Sequence, residues 1–374
     1  MSIDRLADLA DAAACPRVVL KVGSALLMGE GGQPHRAWLG SLVQEIAAAQ
    51  ARGQQIIVVS SGAIALGAAR LGLPRGGRGS LADAQAAAAV GQIALASLWS
   101  ELLAAHGLTA AQLLLTLDDL EDRRRYLNAA ATLDRLLGLG VVPILNENDS
   151  VATAEIRFGD NDRLAARVAQ AAGAQGVILL SDIDGLYDRN PALPGAVHIA
   201  RIDKIDAAIE AMADRGSASG MGSGGMVSKI EAARIASAAG ANLAIASGRI
   251  DHPLSTSARH SLFVAEKAAS ARKAWLAGRL TARGCISIDD GAVNALRQGK
   301  SLLAAGATGV DGQFARGDVV EIADARGARI ARGLSEYDAA DAARIVGHRS
   351  DAHATLLGYA PRAALIHRDH MVLL

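Results

Sequence analysis

Cysteine is scarce in this chain of 374 residues, which contains only Cys15 and Cys285. The two lie too far apart in the sequence to form a zinc knuckle or a redox pair of the CxxC type. A chain so low in cysteine fits a reducing compartment. We therefore expect both thiols to be inert packing groups.

An excess of charge of either sign is also lacking, because 38 basic side chains balance 38 acidic ones. Zero net charge gives no global attraction to nucleic acid or to an anionic membrane, so a charged partner must be bound by a local site. Residues 1–15 carry three aspartates and no apolar signal core, and no apolar run approaches membrane-spanning length. These absences predict a soluble cytoplasmic protein.

What the chain does have is a 51% share of hydrophobic residues, enough for a large domain and a smaller one. Short apolar runs alternate with helical patterns, which predicts an α/β domain with an open, mainly parallel sheet sandwiched by helices. Beyond residue 283, short alternating segments separated by Gly and Asp predict a small β-rich domain. The expected divisions are an N-terminal extension over 1–15, the α/β domain over 16–250, a connector over 251–282 and the β-rich domain over 283–374.

Two local predictions depend on composition and periodicity. Residues 118–137 read as one long charged helix. Residues 74–79, PRGGRG, read as a mobile loop because glycine and proline interrupt regular structure.

The stretch from Val141 to Leu164 is the strongest candidate for the chemistry. It begins as an apolar run without alternation, as expected of a parallel strand covered on both faces, and then turns polar at Asn146. Ligands of open α/β sheets bind beyond the carboxyl ends of the strands. A second polar cluster, Gly159 to Asp162, opens the next helix. Helix capping is the more common explanation of one such cluster, but two clusters in one passage favour ligand binding.

Other strand ends carry polar groups of the same kind. Lys21 lies near the end of an apolar strand, where an unpaired ammonium group is costly, so it either faces a polar site or extends to the surface. Ser61 lies in a turn of small residues after a second buried strand, and such a turn is either ordinary or a close approach to a ligand. Ser181 and Asp182 follow a third strand.

A glycine-rich loop, residues 216–225, leads directly into a helix that contains Lys229 in its first turn. Successive amides of such a loop, together with the positive end of the helix dipole, favour an anion such as phosphate. The loop is not a Walker A motif, since Met226 follows Gly225 where that motif has lysine. A flexible hinge is the alternative.

Five passages in this order and spacing resemble the bacterial glutamate 5-kinases, a branch of the amino acid kinase family. They are LKVGSALL, VVSSGAIALG, NENDSVATAEIRFGDND, SDIDGLYDRNP and GMGSGGMVSKI. SDIDGLYDRNP alone is shared with the aspartate, acetylglutamate, carbamate and uridylate kinases, whereas NENDSVATAEIRFGDND is much narrower. The β-rich end, with GKSLLAAGATGV and FARGDVVEI, resembles the PUA domain that many glutamate 5-kinases carry.

The resemblance implies the phosphorylation of the γ-carboxylate of L-glutamate by ATP, the first step of proline biosynthesis. By position it assigns Lys21 and Lys229 to the phosphates and Asp162 to holding both ammonium groups. Two ammonium groups about 8 Å apart repel by about 2 kcal/mol at a dielectric constant near 20, which an aspartate between them offsets. The residues it assigns to glutamate are Ser61, Asp149, Asp160 and Asn161. Those it assigns to the nucleotide are Lys21, Ser181, Asp182, Ser223, Gly224, Gly225, Met226, Val227, Ser228 and Lys229.

The resemblance also implies Mg²⁺ carried largely by ATP and water, with no dedicated protein metal site. It implies feedback inhibition by proline and a homo-oligomer, a dimer or tetramer. Composition and charge give no reason to expect a membrane partner. One small departure is Ala25, which stands where the family often has a hydroxyl residue.

Two other interpretations stay open from the sequence. The first is a sister kinase that acts on another carboxylate or on carbamate. The second is an RNA-binding protein that uses the PUA domain, but residues 283–374 carry equal numbers of acidic and basic residues and few aromatics. RNA binding needs a basic surface, usually with stacking aromatics. The sequence therefore argues against nucleic acid as a partner.

Overall fold

The computed structural model describes residues 3–29, 33–151, 160–215, 225–256, 259–266 and 282–374, with the backbone alone at residues 123, 160, 214 and 215. Contacts between Cα atoms divide the chain into two compact units. The first is residues 1–121 with 129–268, and the second is residues 122–128 with 269–374.

The first unit is built from alternating strands and helices. Its strands are β1 (Arg17–Val22), β2 (Gln55–Ser60), β3 (Ala110–Leu115), β4 (Val142–Glu147), β5 (Gly176–Ser181), β6 (Leu186–Tyr187), β7 (His198–Ile199), β8 (Arg201–Ile202), β9 (Asn242–Ser247) and β10 (His260–Phe263). The helices in the same part of the chain are α1 (Leu6–Leu9), α2 (Ser24–Leu27), α3 (Arg36–Ala51), α4 (Ala63–Leu71), α5 (Leu81–Ala104), α6 (Leu117–Glu121), α7 (Arg123–Gly138), α8 (Asp160–Ala172), α9 (Ala207–Arg215), α10 (Met226–Ala238) and α11 (Pro253–Thr256).

Eight of these strands form one sheet in the order β3-β4-β2-β1-β5-β9-β10-β8. Every neighbouring pair is parallel except β9 and β10, which are antiparallel. The fold-class prediction of an open, mainly parallel sheet with helices is confirmed. Strand β10 lies within the range that the sequence suggested as a connector.

The central strand β1 lies where the strand order reverses, with β2 on one side and β5 on the other. Both neighbours are parallel to β1, and Val22 of β1 is level with Ser60 and Leu180. All six residues of β5 are buried, as expected of a strand covered on both faces. The fold therefore opens a crevice at the carboxyl ends of these strands, the usual ligand position in such sheets.

The structure corrects one of the two local predictions and adds detail to the other. The helix expected over 118–137 is two helices, α6 and α7, because Asp122 starts a new one: its carboxylate accepts from the Arg125 amide at 2.9 Å, as a capping residue does. The PRGGRG loop contains a 3₁₀ turn over Pro74–Gly77, in which Arg75 and Gly76 adopt positive φ.

The described part of the N-terminal segment packs within the first unit. Leu6 and Leu9 of α1 are buried, and the Leu6 amide donates to Nε2 of His260 at 3.1 Å. Cys15 is buried as well, and burial raises the pKa of its thiol to about 12. A thiol with so high a pKa is inert at neutral pH, in line with the packing role expected from the sequence.

The second unit is β-rich, as predicted. Its strands β11 (Gly284–Ile288), β12 (Ala307–Gly312), β13 (Val319–Asp324), β14 (Arg329–Leu334) and β15 (Met371–Leu373) form a sheet in the order β12-β11-β13-β14-β15. Its further helices are α12 (Asp290–Arg297), α13 (Ala339–Ile345) and α14 (Ser350–Leu357). Strand β11 is parallel to β13, and the other neighbours are antiparallel. A separate core, which includes Ile286, Ile322 and Leu365, fills this unit.

Contrary to the expectation that no apolar run approaches membrane-spanning length, helix α5 is long and apolar enough to cross a membrane by length and composition alone. In the fold it packs closely against α4 through two glycines. A Cβ on Gly67 would lie 1.8 Å from the carbonyl oxygen of Ala87, and one on Gly91 would lie 1.7 Å from that of Ala63. The small residues of α5 therefore let two backbones touch, and this contact fixes where the side chains of α5 point.

We expect Gly91→Ala to destabilise the protein by about 3 kcal/mol, because the new methyl group must push α4 and α5 apart. Urea denaturation followed by circular dichroism measures the change. The matched control is Gly40→Ala on α3, where a Cβ meets no atom within 4 Å. In a helix that change is expected to stabilise by about 1 kcal/mol. Equal behaviour of the two variants would contradict the backbone contact.

Candidate active site

Three charged side chains meet in the crevice at the carboxyl end of β1. Asp162 is fully buried, and its two carboxylate oxygens face two lysines: Nζ of Lys21 is 2.6 Å from Oδ1, and Nζ of Lys229 is 3.0 Å from Oδ2. Both lysines are buried almost as deeply, at 4% exposure each. The choice left open by the sequence is thus decided for Lys21, which faces a polar site and not the surface.

Burial and charge act in opposite directions on these groups. Burial lowers the pKa of Lys21, and the attraction of Asp162 offsets only part of that effect. Burial alone would raise the pKa of Asp162, but the two neighbouring ammonium groups outweigh it and hold the pKa below its ordinary value. One anion between two cations leaves the cluster with a net positive charge, which suits a site for an anionic ligand.

Each member of the cluster comes from a different element. Lys21 is the fifth residue of β1, Asp162 is the third residue of α8 and Lys229 is the fourth residue of α10. Because Asp162 and Lys229 both lie in first turns and touch, the amino-terminal ends of α8 and α10 meet at this point. Their dipoles add positive potential to the crevice.

A chain of polar side chains lies beside the lysines. The side-chain nitrogen of Asn161 donates to Oγ of Ser61 at 3.0 Å and to Oδ1 of Asn146 at 3.2 Å. The nitrogen of Asn146 in turn donates to Oε1 of Gln92 on α5 at 2.8 Å. Ser60, next to Ser61, accepts from the indole of buried Trp99 at 2.9 Å. The structure therefore brings together two of the residues expected to bind glutamate, Ser61 and Asn161.

The other two candidates for glutamate binding are placed less completely. Asp149 is half-buried, and its carboxylate lies within electrostatic range of Arg78, whose pKa burial lowers and Asp149 raises. Asp160 is the first residue of α8, but its side chain lies outside the described residues.

The residues expected to bind the nucleotide follow β5 and precede α10. Oγ of Ser181 donates to the Asp182 carboxylate at 3.1 Å. The same carboxylate, like Asp162, offsets part of the lowering of the Lys21 pKa. The guanidinium of Arg249, after β9, lies 3.8 Å from the same carboxylate. The carboxyl ends of β1, β5 and β9 therefore contribute to one polar surface.

The glycine-rich loop is described only at its end. Ser223 and Gly224 lie outside the described residues, and Gly225 occupies the position before α10 without a side-chain cap. Met226 and Val227 begin the helix, and the Ser228 amide donates to the Gly225 carbonyl at 3.0 Å. The first amides of α10 therefore stand next to buried Lys229, in the arrangement that binds anions at helix starts.

A metal site was not expected from the sequence. In the described ranges, no group of three or more His, Cys, Asp or Glu side chains is arranged to hold a metal ion. Asp162 already faces two ammonium groups, so its oxygens do not fit a cation as well. The chemistry this arrangement supports is the binding of a strongly anionic group by ammonium groups and helix amides.

Sequence reasoning missed three residues near the site and gave a fourth, Asn146, no role of its own. Gln92 accepts the hydrogen bond from Asn146, Arg78 lies near Asp149, and Arg249 lies near Asp182. The sequence did offer a signal for Gln92, which is a polar residue within an otherwise alanine-rich helix. Arg78 and Arg249 gave none, because surface arginines in loops are common.

Comparison with known sequences finds two matching family profiles and several similar proteins. The profile of the amino acid kinase family matches residues 16–247, and that of the PUA domain matches residues 284–356. The chain is 74% identical to the glutamate 5-kinase of Sphingopyxis alaskensis over 97% of this chain and 98% of that protein. It is 63% identical to the glutamate 5-kinase of Novosphingobium aromaticivorans over the full length of both.

Among solved structures, the carbamate kinase of Giardia lamblia bound to AMP-PNP has a similar fold. It aligns with a TM-score of 0.50 over 68% of this chain and 100% of its own, at 14% sequence identity. Identity this low supports the fold alone.

Proposed function

The chain belongs to the amino acid kinase family, and from that membership we propose that it transfers the terminal phosphoryl group of ATP to the γ-carboxylate of L-glutamate. The carboxylate oxygen attacks the γ-phosphorus, the bond to the bridging oxygen breaks, and ADP leaves. The product is L-glutamyl 5-phosphate, the first intermediate of proline biosynthesis.

The observation that carries the proposal is the buried cluster of Lys21, Asp162 and Lys229. Phosphoryl transfer requires the protein mainly to align the reactants and to stabilise charge on the transferring oxygens. The γ-carboxylate is already ionised, so no general base is needed. Two anionic reactants must meet, and the ammonium groups with the first amides of α10 offset their repulsion. Asp162 keeps both ammonium groups in place before the nucleotide arrives.

For glutamate we assign Ser61, Asp149, Asp160 and Asn161. Ser61 and Asn161 form one hydrogen-bonded pair beside the lysine cluster, which supports their common role. Asp149 is the carboxylate that pairs with the α-ammonium group of glutamate. When the substrate enters, this ammonium group takes the place of Arg78 as the cationic partner of Asp149.

For the nucleotide we assign Lys21, Ser181, Asp182 and the segment 223–229, including Lys229. Magnesium enters with ATP as part of the substrate and supplies further charge neutralisation on the phosphates. Asp162 already faces two ammonium groups, so phosphates and water supply most of the magnesium ligands, as the preference of this ion for keeping water allows.

The wider role follows from the same reaction. We propose that proline, the end product, inhibits at or near the glutamate site, and that first units of separate copies associate into a dimer or tetramer. A cytoplasmic location agrees with the need for ATP and glutamate. Nucleic acid is not expected as a partner, given the even charge of the second unit's sequence.

The test is an assay of ADP release from MgATP, with L-glutamate, L-aspartate, N-acetylglutamate and carbamate supplied separately. Hydroxylamine traps the acyl phosphate as a hydroxamate, and each assay is repeated with proline. We expect L-glutamate to be the only one of the four acceptors that supports turnover. The γ-glutamyl hydroxamate should form, and proline should suppress the reaction. Turnover with only another acceptor would keep the kinase chemistry but replace the substrate, and no turnover with any acceptor would overturn the proposal.

A further inference from the structure

Gln92 is a polar residue on α5 that the proposed reaction does not yet use. Its Oε1 accepts a hydrogen bond of 2.8 Å from Asn146, a buried residue of β4. Asn146 in turn contacts Asn161, which lies in the first turn of α8 next to Asp162. Gln92 is therefore connected to the glutamate site through two side-chain amides.

The hydrogen bonds that link Asn161, Asn146 and Gln92 all run in one direction, from Asn161 towards Gln92. A side-chain amide has one donor end and one acceptor end. Since the nitrogen of Asn146 donates to Gln92, its oxygen faces Asn161 and accepts from the nitrogen there. The nitrogen of Asn161 also donates to Ser61, so its donor end is fully used.

The hydrogen-bonded series of side chains ends in an oxygen atom of Asn161. Oδ1 of Asn161 is buried and has no hydrogen-bond partner among the described residues. A buried acceptor without a partner is costly, and in a binding site it indicates a donor on the ligand. Of the polar groups of glutamate at neutral pH, only the α-ammonium group donates, because both carboxylates accept.

We propose that Gln92 is a positioning residue which, through Asn146, orients the Asn161 carbonyl oxygen to receive the α-ammonium group of the acceptor substrate. The inference rests on the proposed function, since it names the substrate group that this part of the site recognises. Asp149 supplies the charge for that group, and Asn161 supplies a directed neutral acceptor. Gln92 itself touches no reacting atom.

The test replaces Gln92 with methionine, which has a similar length but no comparable acceptor. Asn146 then loses its only fixed partner on α5, and Asn161 is free to turn its nitrogen towards the ammonium group. We expect KM for L-glutamate to rise about tenfold, the usual effect of losing one oriented hydrogen bond. We expect kcat and KM for ATP to stay within about twofold, since the lysine cluster is intact.

A second measurement distinguishes the ammonium group from the carboxylates. Glutarate is glutamate without its α-ammonium group, and it is tested as a competitive inhibitor against glutamate. We expect its inhibition constant to be the same in the wild type and in Gln92→Met. Equal weakening of glutarate and glutamate would overturn the inference, because the effect would then not depend on the ammonium group.

Two control variants separate positioning from general damage. Gln92→Glu keeps an acceptor oxygen for Asn146, and we expect KM for glutamate within about threefold of the wild type. Gln44→Met changes an exposed glutamine on α3 and should leave every constant unchanged. Unchanged KM for glutamate in Gln92→Met would also overturn the inference. Failure of the wild type to phosphorylate glutamate would instead overturn the proposed function.

Discussion

Asp162→Asn is expected to abolish measurable turnover and to destabilise the protein by about 3–5 kcal/mol, the cost of removing one partner from a buried ion pair. The variant keeps the shape of the side chain but leaves Lys21 and Lys229 facing one another without an anion. Steady-state kinetics and urea denaturation measure the two effects. We expect turnover to fall at least about a thousandfold, since neither ammonium group is then held in place.

Nucleotide binding provides a sharper check on the role of Asp162. The phosphates of MgATP bring anions to the two lysines, so they should raise the melting temperature of Asp162→Asn by more than that of the wild type. The matched control is Asp134→Asn, which removes an exposed carboxylate 3.2 Å from Arg17. Exposed ion pairs contribute little, so that variant should resemble the wild type. Wild-type stability of Asp162→Asn would contradict the account of the cluster.

Lys229→Ala is expected to lower kcat about a hundredfold or more. Loss of one positioned donor to a developing charge costs about 3 kcal/mol of transition-state stabilisation, and each 1.36 kcal/mol is a factor of ten. The effect should be larger on kcat than on KM for ATP, because the ammonium group acts on charge that moves during transfer. Initial rates over a matrix of both substrate concentrations separate the two constants.

The stability of Lys229→Ala should also differ from that of Asp162→Asn. Asp162 still has Lys21 at 2.6 Å, so one buried pair remains and the loss of stability should be smaller. Lys204→Ala, which changes an exposed lysine, is the control for the removal of a positive charge. Unchanged turnover in Lys229→Ala would remove this residue from the catalytic cluster.

Together these results would tie the chemistry to a feature of the amino acid kinase fold. The reversal of strand order at β1 opens a crevice, and the amino-terminal ends of α8 and α10 close on it from neighbouring elements. One carboxylate then holds two lysines that lie 208 positions apart in the sequence. The free-energy cost of burying these charges is offset by their mutual contacts.

The sequence determined the elements of this protein and the types of residue that carry its chemistry. Unbroken apolar runs predicted buried parallel strands. A lysine near the end of one run and polar residues at the start of a helix gave the candidates Lys21, Asn161 and Asp162. This worked because the period of a pattern and the position of a strand end are local properties of the chain. The same local rules failed at Asp122, where one aspartate starts a new helix inside a continuous helical pattern.

Only the tertiary structure decided which candidates meet, and in which direction their groups face. Whether Lys21 reaches the surface or a buried carboxylate depends on α8, which follows it by more than a hundred residues. The direction of the Asn161 amide depends on Gln92, a residue of α5 reached through Asn146 of β4. Hydrogen bonds and ion pairs act over about 3 Å in space, so a sequence pattern carries no record of a partner that the fold brings from far along the chain.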